Sequence, residues 1–140
     1  MSVVDLSGIK VSYNEAGDGF PVVFIPGLAE TMECYQRQLL GLSATYKVIT
    51  YDLRPSRPGG DYSAALLASD LVALLDALRI HNAVICGHSF GGIVAQEFAI
   101  SYPDRTAALA LISAFPSLPA ASPEKLMSWL ILSESKTGAP

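Results

Sequence analysis

The chain has 140 residues and a formal net charge of -4, enough length for one domain with a buried core. It has no Lys/Arg run or basic stripe, which argues against a nucleic-acid or anionic-membrane partner. Hydrophobic residues make up 51%, a high share for a small soluble domain. Even so, no run of about 20 apolar residues reads as a membrane span, and no basic-then-apolar leader opens the chain.

Residues 8–13 alternate apolar and polar and read as a half-exposed strand, followed by the turn Ala16-Gly17-Asp18-Gly19. Residues 22–25, Val-Val-Phe-Ile, form a continuous apolar run of the kind buried on both faces of a parallel sheet. The run ends in a loop at Pro26-Gly27-Leu28. Thr31 to Leu40 has helical spacing, with Met32, Tyr35, Leu39 and Leu40 on one face and Gly41 as its expected stop. Residues 46–51 form the next strand, and Asp52 to Gly60 is a loop rich in Pro and Gly.

The clearest helix is Tyr62 to Arg79, with Ser63 as a cap and a core stripe of Leu67, Leu71, Leu74, Leu75 and Leu78. A strand at 83–86 then runs into Gly87-His88-Ser89-Phe90-Gly91-Gly92, and a helix from 93 to 102 stops before Pro103. Residues 107–112 are another buried-type strand. A loop at 115–119 and a short helix at 123–132 follow, with a polar tail. Strands alternating with helices imply an α/β fold, a mainly parallel sheet and right-handed crossovers. One domain is expected over 1–140, with its core in 1–118. Residues 119–140 then start a cap or fold back as a tail.

Gly87 to Gly91 matches G-x-S-x-G between a strand and a helix, the pattern of a nucleophile elbow. The bland alternative is a Gly-rich turn that only joins the two elements. In the elbow reading Ser89 sits on a strained turn, and Gly87 and Gly91 leave room where strand and helix meet. The helix N-terminus favours negative charge beside Ser89, and the Phe90 amide can face a developing oxyanion.

Several motifs coincide in order: Phe24-Ile25-Pro26-Gly27-Leu28, Tyr51-Asp52-Leu53-Arg54, the long helix, Cys86 to Gly92, and Ser101-Tyr102-Pro103-Asp104-Arg105. Over Gly8 to about Ser113 the chain resembles the N-terminal half of the α/β-hydrolase superfamily, in its esterase, lactonase and haloperoxidase-like branch. The resemblance implies an incomplete α/β-hydrolase fold with Ser89 as nucleophile and the backbone amides of Leu28 and Phe90 as oxyanion hole. It implies a small ester, lactone or related acyl substrate and no metal or organic cofactor. A serine here argues against the dehalogenase branch, which uses an aspartate. Two local departures stand out. Pro26-Gly27 replaces the frequent His-Gly, and Pro55 follows Arg54 where the family usually runs Gly-x-Gly.

A serine hydroxyl needs a base, and this class orders its triad Ser, acid, His. The only histidines are His81 and His88, and neither follows Ser89. His81 is expected as a solvated turn residue at the wrong end of its strand. His88 is expected to pack beside the elbow, pointing away from the hydroxyl. Some branches of the family place the acid after the strand that follows the elbow helix, and that position here holds Ser113-Ala114-Phe115. Glu97 and Asp104 read as surface residues, nothing positions Glu124 or Glu134, and Asp52 reads as a loop brace through Arg54.

The base and acid are therefore expected from outside this stretch, and the apolar excess fits an uncovered strand at 107–112. Leu126, Met127, Trp129, Leu130, Ile131 and Leu132 read as a helix folded back on the sheet, or as an acyl-pocket lid. The competing function is a non-catalytic half-fold that binds a second chain or another copy through the uncovered strand. Cys34 and Cys86 have no metal or redox spacing. Cys86 reads as a buried thiol, and a reducing, cytoplasmic setting is expected.

Overall fold

The apolar runs of the sequence become the parallel centre of one sheet. The computed structural model describes residues 1–56 and 58–114. The expected loop at 115–119, the helix at 123–132, Glu124 and Glu134 lie outside the described residues, as does the 118/119 division.

Six strands are ordered β1-β2-β4-β3-β5-β6. They are β1 (Ser2–Asp5), β2 (Lys10–Ala16), β3 (Phe20–Ile25), β4 (Tyr46–Tyr51), β5 (Ala83–His88) and β6 (Thr106–Ile112). β3 pairs in parallel with both β4 and β5, and β5 pairs in parallel with β6. β1 and β2 form an antiparallel hairpin, and β2 joins β4 antiparallel. β1 is not among the strands expected from the sequence. Its four residues are almost all exposed, so no burial period marks them. The available signal was Ser7-Gly8, where φ values of 57° and 93° make the tight hairpin turn.

Alternate residues along the strands face two separate cores. Val23, Ile25, Ile49, Tyr51, Ile85 and Leu109 pack against helix α2 (Ala64–Ala77) and helix α3 (Phe90–Ser101). Val22, Phe24, Val48 and Cys86 face the other way, onto Tyr35 and Leu39. Tyr35 ends a short 3-10 helix, Met32–Tyr35, and Leu39 lies on helix α1 (Gln36–Leu42). Cys86 is buried, which pushes its thiol pKa up to about 12.

Helix boundaries differ from expectation for local reasons. Ser63 is extended and accepts the Leu66 amide, so α2 starts at Ala64 and leaves Tyr62 outside. α3 starts at Phe90, because the turn at Ser89 already delivers the chain in helical direction. Gly41 does not stop the first helix. It lies inside α1, and a β carbon built on it meets nothing within 4 Å. Gly41→Ala should therefore raise stability by about 0.5–1 kcal/mol, read as a higher urea midpoint at unchanged slope.

Among the described residues β6 is an edge strand, paired only with β5, and Ile112 at its end is 45% exposed. No described helix is long and apolar enough to cross a membrane.

Candidate active site

β5 and α3 meet at a single residue, Ser89, with φ 52° and ψ -119°. A side chain other than glycine's is strained there, at a cost of about 1–3 kcal/mol. The surroundings hold it in place. The Ser89 amide donates to the Ile112 carbonyl of β6 at 3.0 Å, and the Gly92 amide donates to the Ser89 carbonyl at 2.9 Å.

The flanking glycines are required by backbone contact. A β carbon on Gly87 would lie 2.3 Å from the Gly91 carbonyl oxygen. One on Gly91 would lie 2.3 Å from the Ile25 oxygen and 2.4 Å from the Pro26 oxygen. The elbow thus presses directly on the end of β3, where the early loop begins. Phe90 is the first residue of α3, so its amide has no partner within its own helix.

The loop after β3 is fixed at several points. The Tyr35 hydroxyl donates to the Ile25 carbonyl at 2.8 Å. The Gly27 amide donates to Glu30 Oε2 at 2.7 Å, and the Glu30 amide donates back to the Gly27 carbonyl at 3.2 Å. Leu28 and Ala29 form the tip of this turn, with Ala29 at φ 62°. Such a turn has one internal backbone bond, from its fourth residue to its first, and so leaves the second residue's amide, here Leu28, without an internal partner. The Met32 amide donates to Asp52 Oδ1 at 2.7 Å.

Asp52 does brace a loop, but the partner is Met32 rather than Arg54. Arg54 instead makes a two-pronged pair with Asp70 on α2, at 2.6 Å from Nε and 2.5 Å from Nη2. Asp70 interrupts the apolar stripe of α2 at 8% exposure, and a carboxylate there requires a partner. That was the signal in the sequence, and only the partner's identity was illegible. The Tyr62 hydroxyl donates to the Arg54 carbonyl at 2.9 Å, and the Tyr62 ring stacks on Phe90 at 6.1 Å and 8°. A cavity of about 370 Å³ opens here, lined by Gly27, Leu28, Glu30, Arg54 and Tyr62 among others.

His88 does not simply pack. Its Nδ1 lies 3.0 Å from Glu30 Oε2, and both side chains are about one-third exposed. The hydrogen bond from His88, then that from the Gly27 amide, holds the Glu30 carboxyl below its ordinary pKa. A lowered carboxylate pKa adds stability above its unfolded value, and this is lost as pH falls through the folded one. The tie therefore stands at neutral pH and releases in acid.

His81 is exposed at the opposite end of β5, where its carbonyl accepts from Arg105 Nε. Arg105 also bonds Asp76 at 2.7 Å and the Ile80 carbonyl at 3.0 Å, which makes that end a structural clasp. Glu97 accepts from Ser101 on its own helix, and Asp104 is exposed. The segment after β6 brings Ser113 and Ala114, with no carboxylate.

A family model described as "Alpha/beta hydrolase family" matches residues 22–137. The chain is 34% identical over 120 residues to "Epoxide hydrolase 2" of Siraitia grosvenorii, covering 80% of this chain and 38% of that protein. It is 38% identical over 88 residues to "3-oxoadipate enol-lactonase 2" of Acinetobacter baylyi, covering 60% and 33%. Among solved structures it is similar to "Est816 as an N-Acyl homoserine lactone degrading enzyme", with TM-score 0.75 and 31% identity over 81% of this chain and 45% of that one. The chain thus spans less than half the length of these relatives. It belongs to the alpha/beta hydrolase family.

Proposed function

We propose that this chain carries the nucleophile and oxyanion half of a serine hydrolase acting on a small ester or lactone. Ser89 Oγ attacks the substrate carbonyl carbon, and its proton passes to a base. The carbonyl oxygen becomes an oxyanion held by the Leu28 and Phe90 amides, each such donor being worth about 3 kcal/mol of barrier. The intermediate collapses, the alcohol leaves with a proton, and water then hydrolyses the acyl-serine. The observation that carries this reading is the backbone of Ser89, strained at φ 52° and ψ -119° on a turn that only Gly87 and Gly91 permit.

Two kinds of relative point to different substrates. The lactonase names imply a carbonyl, and the epoxide hydrolase names do not. A hydroxyl nucleophile with two amides beside it suits the carbonyl, whose oxygen gains a full charge in the transition state.

We place the base outside the described residues, since His81 stands at the far end of β5 and, among the described residues, neither histidine is hydrogen-bonded to the Ser89 hydroxyl. The two free cysteines fit a reducing, cytoplasmic setting.

Prolonged incubation with an activated aryl ester should leave one acyl group per chain, mapped to Ser89 by mass spectrometry. An epoxide such as styrene oxide should leave none. Adducts from the epoxide alone, or ester acylation unchanged in Ser89→Ala, would sink this reading.

A further inference from the structure

The side chain beside the nucleophile has no part in the chemistry just described, yet it makes the elbow's direct side-chain bond to the early loop. Glu30 Oε2 is shared: it accepts the Gly27 amide at 2.7 Å and faces His88 Nδ1 at 3.0 Å. Gly27 is open on that side only because it lacks a side chain. A β carbon there would lie 2.6 Å from Glu30 Oε2 and 3.6 Å from His88 Nδ1. The carboxylate therefore sits directly over the Gly27 backbone, one residue before Leu28.

The other ties act at the ends of the loop. Tyr35 holds the Ile25 carbonyl and Asp52 holds the Met32 amide. Pro26 has no N–H to offer. Gly91 abuts the Pro26 carbonyl, and beyond Pro26 the Glu30–His88 contact ties the segment to the elbow. Leu28 itself is 62% exposed, so packing of its side chain does not anchor the tip.

We propose that Glu30 and His88 form a latch that sets the Leu28 amide opposite the Phe90 amide, making both of them positioning residues for acyl transfer. This rests on the proposed roles of Leu28 and Phe90. The two bonds at Oε2 differ in what they fix. The Gly27 bond shapes the turn, and the His88 bond sets the turn's position against Ser89. An amide that wanders by an ångström no longer meets a forming oxyanion, so the latch acts on the transition state more than on binding.

The test compares the wild-type chain with Glu30→Ala, Glu30→Gln and His88→Ala, on two independent readouts. The first is backbone NMR. In wild type the Leu28 order parameter should sit near the rigid value of about 0.85, and in Glu30→Ala it should fall below about 0.6. Exchange of the Gly27 amide should rise by about 10-fold or more, while β4 amides stay within about twofold. His88→Ala should loosen Leu28 but spare the Gly27 amide. The second readout is labelling of Ser89 by a fluorophosphonate, resolved into kinact and KI. Glu30→Ala should lower kinact by about 10- to 100-fold with KI within about twofold. Glu30→Gln should recover most of both, because its carbonyl oxygen in the place of Oε2 can accept from the Gly27 amide and from His88 Nδ1–H alike.

Wild-type Leu28 dynamics in Glu30→Ala and His88→Ala would overturn the latch, and so would a glutamine variant as defective as alanine. If Ser89 proves not to be the labelled residue, the hydrolase reading fails. The Leu28 dynamics then still decide whether the latch exists.

Discussion

Gly91→Ala is expected to cost at least about 3 kcal/mol of stability, which for a chain of this size lowers the thermal midpoint by about 10 °C. The new β carbon would lie 2.3 Å from the Ile25 carbonyl oxygen and 2.4 Å from the Pro26 carbonyl oxygen. Both are backbone atoms at the end of β3, so no side-chain rotation relieves the contact. Either α3 backs away from the sheet, losing the burial of Val94, Ala95 and Phe98, or the end of β3 moves. Moving β3 drags Pro26, Gly27 and Leu28 with it, so acylation of Ser89 should fall as well. Gly41→Ala is the matching control, because the same methyl group meets open space there. Equal midpoints for the two variants would mean that the elbow does not rest on β3 as described.

Ser89→Gly is expected to abolish every acyl adduct and yet make the chain more stable. The backbone at φ 52° and ψ -119° costs a serine about 1–3 kcal/mol, and glycine escapes that strain. The greater freedom of glycine in the unfolded chain returns about 0.5–1 kcal/mol. A net gain of about 1 kcal/mol should appear as a midpoint about 3 °C higher. Ser89→Ala separates the two effects, because alanine loses the hydroxyl but keeps the strain. It should show no adduct and no gain. A strained position that is costlier with its functional residue than without it is the pattern expected where function is served at the expense of stability. A destabilised Ser89→Gly chain would show that the turn is not strained.

The sheet was legible where burial leaves a pattern. β3, β5 and β6 read from apolar runs, β4 was expected at 46–51, and α2 read from its leucine stripe and Ser63. The elbow read from its glycines, whose spacing reflects the contacts of Gly87 and Gly91 with backbone. β1 was not legible because an exposed edge strand carries no apolar period. The ties around the early loop were not legible for another reason. Glu30 and His88 are 58 positions apart, Arg54 and Asp70 are 16 apart, and Asp52 and Met32 are 20 apart. Composition marks a charged residue as needing a partner, and only the fold says which one. So His88 read as packing whereas it bonds Glu30, and Asp52 read as a loop brace, which it is, but through Met32 rather than Arg54.

We propose that Ser89 is presented as a nucleophile while its base lies elsewhere. A fluorophosphonate time course on the purified chain, with the adduct mapped by peptide mass spectrometry, tests it most directly. The prediction is one slow adduct on Ser89, faster than on a free serine peptide by no more than about 10³- to 10⁴-fold, the contribution left when a triad lacks its base. Labelling at the speed of a complete hydrolase, or an adduct on any other residue, would contradict it.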